Sequence, residues 1–214
     1  MSPGPVHTAD PARRGPRVSE DKHLDRIVYF SDAVFAIAMT LLILSIDVPG
    51  DGPDLGGRLL DLWPQALSFA ISFLVIGKYW FAHHRLWRHI VRYDSVLIWL
   101  NLLLLMVIAS LPFASELLGL HGDTTVAVVA YASWMVAAGL LSTLVWWYAT
   151  RGRRLVDDDL DARFIHHFMV GGLVFPAIFA VSIPVAFVQP TAATLTWLAI
   201  IPARRIVAHR YHGG

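Results

Sequence analysis

Arg26–Pro49 reads RIVYFSDAVFAIAMTLLILSIDVP. A helix needs about 20 mostly apolar residues to cross a bilayer, and this stretch supplies them. Stepped at about 100° per residue from Ile37, it separates into two faces. Phe30, Ala33, Ile37, Leu41, Leu44 and Val48 fall on one side, all of them apolar. Ser31 and Asp32 fall well away from that side, near the helix start. A charge inside a membrane costs roughly 2.5–3.5 kcal/mol on the insertion scale, so Asp32 is a candidate functional residue by its position.

Composition agrees with a membrane chain. Of 214 residues, 56% are hydrophobic and 15% charged, and the mean hydropathy is +0.57. Soluble domains carry about 25% charged residues. The net charge of +1 gives no basis for a nucleic-acid partner, and with no cysteine there is no disulfide, thiolate metal site or cysteine nucleophile. The opening residues are rich in Pro, Gly and Arg and lack the apolar core of a cleavable signal. Residues 1–24 therefore read as a disordered cytosolic tail, residues 25–207 as one transmembrane domain and 208–214 as a second cytosolic tail.

Six segments have the length and apolarity of spans: 27–48, 63–84, 95–113, 125–148, 164–187 and 191–207. Pro112 is expected to close the third, and Pro176 and Pro184 to bend the fifth. The sixth has only a short apolar run before Arg204 and Arg205. Lys and Arg gather before the first segment, between the second and third, between the fourth and fifth, and in the tail; the other side has Arg58. The positive-inside rule then places both termini in the cytosol. The fold class is an all-α membrane protein with six transmembrane helices per subunit.

This orientation puts several polar groups at one depth. Asp32 lies about 8 Å into the first helix at about 1.5 Å per residue. Asn101 on the third helix, and Lys78, Trp80, His83 and His84 on the second, reach the same layer. In lipid such groups must satisfy one another. Arg26, Ser31, Asp32, His84 and Asn101 are expected to supply a network pinning helix one to helices two and three, with Lys78 snorkelling. Paired glycines at 171 and 172 suit close helix packing. There is no Gly-rich phosphate loop, no G-x-S-x-G and no H-E-x-x-H, and the histidines lack the repeated boxes of membrane di-iron oxidases. No enzyme activity, catalytic residue, metal site or cofactor is expected.

R-x-x-x-F-S-D (Arg26, Phe30, Ser31, Asp32) followed by AVFAIAMTLL resembles the first helix of the transmembrane protein 175 family, the endosomal and lysosomal potassium channels and their prokaryotic relatives. Tyr79–Gly119 resembles the family's second and third helices, with Trp80, His84, Arg85, Asp94, Asn101, Pro112 and Phe113 at matching places. The resemblance implies a homo-oligomer, a tetramer of six-helix units, with helix one lining a central pore. It places a hydrophobic constriction at Ile37, further apolar layers at Leu41 and Leu44, and a potassium-related threonine at Thr40. Phe30 and Trp80 are expected to join the structural polar network of Arg26, Ser31, Asp32, His84 and Asn101. Met39 and Phe35 depart from the family's usual smaller or branched residues. Potassium is then the permeant ion, and a prokaryotic plasma membrane the expected location. The physics is compatible: one helix cannot enclose a conduit, a closed ring of copies can, and narrow rings of Ile and Leu exclude ions by dewetting. The alternative is a proton-coupled or cation secondary transporter using Asp32 and the nearby histidines; transporters usually show internal repeats and broken helices, which this chain does not.

Overall fold

The computed structural model describes residues 16–47, 49–50 and 52–199, and its regular structure is helical. The expected C-terminal tail, the first part of the N-terminal tail, and Val48 of the apolar side lie outside these residues. In chain order the helices are α1 (Pro16–Leu41), α2 (Leu55–Asp61), α3 (Trp63–Trp87), α4 (Ser95–His121), α5 (Thr125–Thr150), α6 (Ala162–Val188) and α7 (Pro190–Thr196). Among the described residues, five stretches are long and apolar enough to cross a membrane: His23–Ser45, Trp63–Trp87, Ser95–His121, Thr125–Arg153 and Ala162–Val188. They coincide with the first five expected spans. The expected sixth, 191–207, begins as α7 and a short 3-10 turn, Trp197–Ala199; its remainder lies outside the described residues.

Three boundaries differ from the sequence reading. α1 starts at Pro16, so residues 16–24 are helical where a disordered tail is expected. Proline suits a first-turn position, because its fixed φ is already helical and its missing amide has no partner to lose. α4 runs through Pro112 to His121 instead of ending there. In lipid, neighbouring helices support a helix whose ladder a proline interrupts; here Trp134 of α5 donates to Ser110 Oγ at 2.8 Å, two residues before Pro112. The first external loop contains α2, capped by Asp54, whose Oδ1 accepts the Gly57 amide at 3.0 Å.

Polar residues also fix the starts of α4, α5 and α6. Asp94 accepts from the Leu97 amide at 2.9 Å, Thr124 from Ala127 at 3.4 Å and Asp161 from Arg163 at 2.9 Å. Each satisfies an amide that the first turn leaves without a helical partner.

α1 packs on α3 and α4; α4 packs on α5, and α5 on α6 and α7. The core joins Phe35, Ala38 and Leu42 of α1 to Ile76 and Tyr79 of α3, Leu104, Ile108 and Leu111 of α4, and Tyr131 and Met135 of α5. Lipid tails are as apolar as these side chains, so close packing rather than escape from water holds the helices together. α5 and α6 show this most sharply. A Cβ placed on Gly139 would lie 2.8 Å from three carbons of the Pro176 ring. Gly172 similarly faces Thr143 Oγ1, 3.0 Å from where its Cβ would stand, whereas Gly171 has open space around it. The expectation for the glycine pair therefore holds for Gly172 and not for Gly171. Gly139→Ala is expected to cost about 1–3 kcal/mol, because a proline ring cannot swing aside. A lower melting temperature in detergent would show it; unchanged melting would mean that the two helices can separate without loss.

A second cluster closes the basic end. The Val91 and Arg92 amides both donate to Leu155 O, at 2.9 and 3.2 Å, and Ile90 pairs with Val156. Asp94 there accepts from Tyr148 Oη at 2.7 Å and from Arg154 at 3.1 Å. Burial pushes its carboxyl up, but the Leu97 amide, Tyr148 hydroxyl and Arg154 guanidinium outweigh it and hold the group below its ordinary value of 3.8. A carboxyl lowered on folding contributes stability above its unfolded value and loses it as pH falls through the folded one. Melting temperature is thus expected to drop on acidification below 3.8, and Asp94→Asn to flatten that drop. An identical acid profile in the variant would remove Asp94 as its source.

Candidate pore helix and its polar clamp

α1 has two faces with different partners. Ser31, Phe35, Ala38 and Leu42 recur at helical spacing and are buried against α3 and α4. On the opposite side Ile37 is 58% exposed, Leu41 42% and Leu44 75%, and Phe30 is exposed with them. Thr40 is exposed too, and its hydroxyl donates to Ile37 O of its own helix at 2.9 Å. Beyond Leu41 the helix tightens into a 3-10 turn, Leu42–Ser45. It is then tied to the start of α3: the Asp47 amide donates to Gln65 Oε1 at 3.1 Å, and Gln65 Nε2 donates back to Asp47 Oδ2 at 3.3 Å.

The buried face ends in a polar clamp. Asn101 Nδ2 of α4 donates to Ser31 Oγ at 3.0 Å, and Ser31 donates onward to Ile27 O at 2.8 Å. His83 Nε2 of α3 lies 2.8 Å from Asn101 Oδ1. An amide oxygen only accepts, so in this arrangement His83 carries its proton on Nε2. Its ring sits between Phe35 at 5.3 Å and Trp87 at 5.7 Å. One residue along from Ser31, Asp32 turns toward α3, where Trp80 Nε1 donates to Oδ1 at 2.8 Å. Trp80 in turn stacks on His84, centroids 5.8 Å apart. Adjacent helical residues point about 100° apart, so the Ser-Asp pair holds α1 to both neighbours at once.

Ser31, Asp32, Trp80 and Asn101 are brought together, and His84 joins through its stack on Trp80. Arg26 and Phe30 are exposed and enter none of these bonds. His83 fills the place that the sequence reading gives to His84. Its signal was available: Ile76, Tyr79, His83 and Leu86 share the buried face of α3. Among the described residues no group of His, Asp and Glu is arranged to hold a metal ion.

The model of the family described as endosomal/lysosomal potassium channel TMEM175 matches residues 26–112, which contain the clamp and the exposed face. A potassium channel of Streptomyces collinus is 42% identical over 161 residues, 71% of this chain and 78% of its own length. The chain belongs to the TMEM175 family. A potassium channel of Chamaesiphon minutus is 32% identical over 188 residues, covering 85% of this chain and 90% of that one. The crystal structure of a lysosomal potassium-selective channel TMEM175 homolog from Chamaesiphon minutus superposes with a TM-score of 0.74 at 29% identity, over 88% of this chain and 98% of that one. The TMEM175 chain described above is accordingly a multi-pass membrane protein of an ion-channel family.

Proposed function

We propose that this chain is a potassium-preferring cation channel in which α1 from several copies, as a homotetramer, surrounds a shared pore. The observation that carries the reading is the split character of α1. Its polar and packed face is clamped to α3 and α4, and Ile37, Leu41 and Leu44 are left uncovered along the opposite face. Ile37 forms the narrowest ring, Leu41 and Leu44 add apolar layers, and Thr40 stands beside the constriction. Potassium passes down its gradient across a bacterial plasma membrane. The basic ends of the helices face the cytosol. The potassium channels named among the relatives support the choice of ion. The carrier reading gains nothing from the site, since the Asp32 carboxylate is engaged by Trp80.

The absence of native cysteine makes the test direct. Leu41→Cys is expected to form disulfide-linked copies under mild oxidation. It is also expected to make potassium flux in proteoliposomes sensitive to a thiol reagent. A cysteine at Leu74, exposed on α3, is expected to do neither. Flux through Leu41→Cys that ignores the reagent would take α1 out of the pore.

A further inference from the structure

The loop between α1 and α3 carries a short helix, α2, whose two sides differ in kind. At about 100° per residue, Leu55, Leu59 and Leu60 fall on one side, and Arg58 and Asp61 on the other. Leu62 and Trp63 follow directly and extend the apolar side into the first turn of α3. Leu55, Leu59, Leu60 and Trp63 are each more than half exposed. A contiguous apolar patch of this kind marks a binding face.

The polar side is already engaged. Arg58 Nη1 and Nη2 donate to the carbonyls of Gly50 and Gly52, at 2.7 and 2.8 Å, and Asp54 caps the helix through the Gly57 amide. The loop's cation is therefore bound to its own backbone, and the leucines are left facing outward. Connectivity sets the level of α2 along the bundle. Leu62 alone separates it from α3, which has the length and apolarity of a span, so α2 lies where that helix leaves the membrane. Trp63 is the first residue of α3, and tryptophan is enriched at that level. From Trp63 the exposure continues through Leu67, Ile71 and Leu74. The patch on α2 is thus continuous with the exposed apolar surface of a spanning helix.

We infer that α2 is an interfacial helix, lying flat with Leu55, Leu59, Leu60 and Trp63 in the boundary between lipid headgroups and acyl chains. Helices with one apolar side and a polar back seat themselves about 5–10 Å into that boundary. A soluble partner would cover the leucines but would not account for a tryptophan at the start of the span; the lipid boundary accounts for both. Because Arg58 is engaged, the anchor draws on apolar contact and not on headgroup charge. The Asp47–Gln65 pair joins the end of α1 to the start of α3 beside it, so the anchor also fixes the level at which α1 turns back. The inference rests on α3 spanning a bilayer and not on what the chain conducts, so its test reads depth rather than flux.

The chain has no native cysteine, so a nitroxide label can be placed at one position of the full chain in proteoliposomes. Labels at Leu59→Cys and Asp61→Cys are compared for their access to oxygen, which enters lipid, and to a water-soluble nickel chelate. The Leu59 label is expected to favour oxygen several-fold more than the Asp61 label, at a depth of about 5–10 Å. The result is expected to be the same in phosphatidylcholine and in phosphatidylglycerol. Adding Leu55→Ser and Leu60→Ser, both at exposed positions, is expected to remove the oxygen preference. A chelate that reaches Leu59 as freely as Asp61 would place α2 in water and overturn the anchor. A Leu59 label that neither reagent reaches would show protein covering the face, a second copy included, and equally overturn it. Oxygen preference confined to phosphatidylglycerol, or kept in the double-serine variant, would show that something other than the apolar side holds the helix there, and would also overturn it.

Discussion

Replacing Ile37 with asparagine is expected to give a channel that leaks at rest and passes sodium nearly as readily as potassium. The reasoning starts from exposure. At 58% exposed, with its side chain away from α3 and α4, Ile37 contributes little to the packing of its own subunit. The substitution should therefore leave folding intact and act on whatever gathers at that face. In the proposed pore that is a ring of identical side chains. A narrow aliphatic ring dewets, and an ion entering it loses hydration that nothing replaces. An asparagine ring offers oxygen and nitrogen to water, and the barrier falls. Each 1.4 kcal/mol removed is a factor of about 10, so basal potassium flux in proteoliposomes is expected to rise about tenfold or more. Flux and ion preference that match the unsubstituted channel would remove Ile37 from the constriction.

The second large effect is expected at Asn101. Asn101→Leu keeps the branching and heavy-atom count of the side chain and removes the amide that joins Ser31 of α1 to His83 of α3. His83 is 1% exposed, so its Nε2 proton is left without an acceptor in a buried place. An orphaned buried donor costs about 1–3 kcal/mol, and hydrogen bonds between membrane helices contribute about 0.6 kcal/mol each, to a maximum near 1.7. A loss of about 2–3 kcal/mol follows, a fall of about 5–10 °C in melting temperature for a chain of this size. His83→Phe combined with Asn101→Leu should recover part of it, because removing both partners leaves no polar group stranded. Equal melting of Asn101→Leu and the parent chain would show that the clamp does not hold α1 in place.

The spans were legible because lipid imposes one rule on every residue of a crossing helix. Hydropathy alone therefore finds α1, α3, α4, α5 and α6. Their ends were less legible. Pro112 reads as a stop because in water it breaks a helix, yet in α4 it lies mid-helix with support from Trp134 and Ser110. Pro16 extends α1 backward through polar residues that carry no hydropathy signal. α2 depends on the Asp54 cap and on Arg58 binding the carbonyls of Gly50 and Gly52, at 2.7 and 2.8 Å, contacts that no periodicity announces.

The clamp was legible in kind and not in detail. Ser31, Asp32 and Asn101 are polar where polarity is costly, so the sequence marks them. Which of two neighbouring histidines turns inward depends on the rotation of α3, and that is set by packing of Ile76, Tyr79 and Leu86. Arg26 falls one turn too early and stays in the exposed region. The approach of Lys78 of α3 to the Phe175 ring of α6, 3.3 Å from its centroid, was not legible, because it depends on how the two helices are placed in space.

The hydroxyl of Thr40, bonded back to its own helix, carries one more consequence. Its proton is committed to the carbonyl of Ile37, so what remains facing outward is oxygen bearing only lone pairs. In the proposed pore, such oxygens repeated around the axis would make a collar of negative dipole ends within one turn of Ile37. Chloride arriving there would meet repulsion without any fixed acidic charge, and acidification would not relieve it, since a threonine hydroxyl does not titrate.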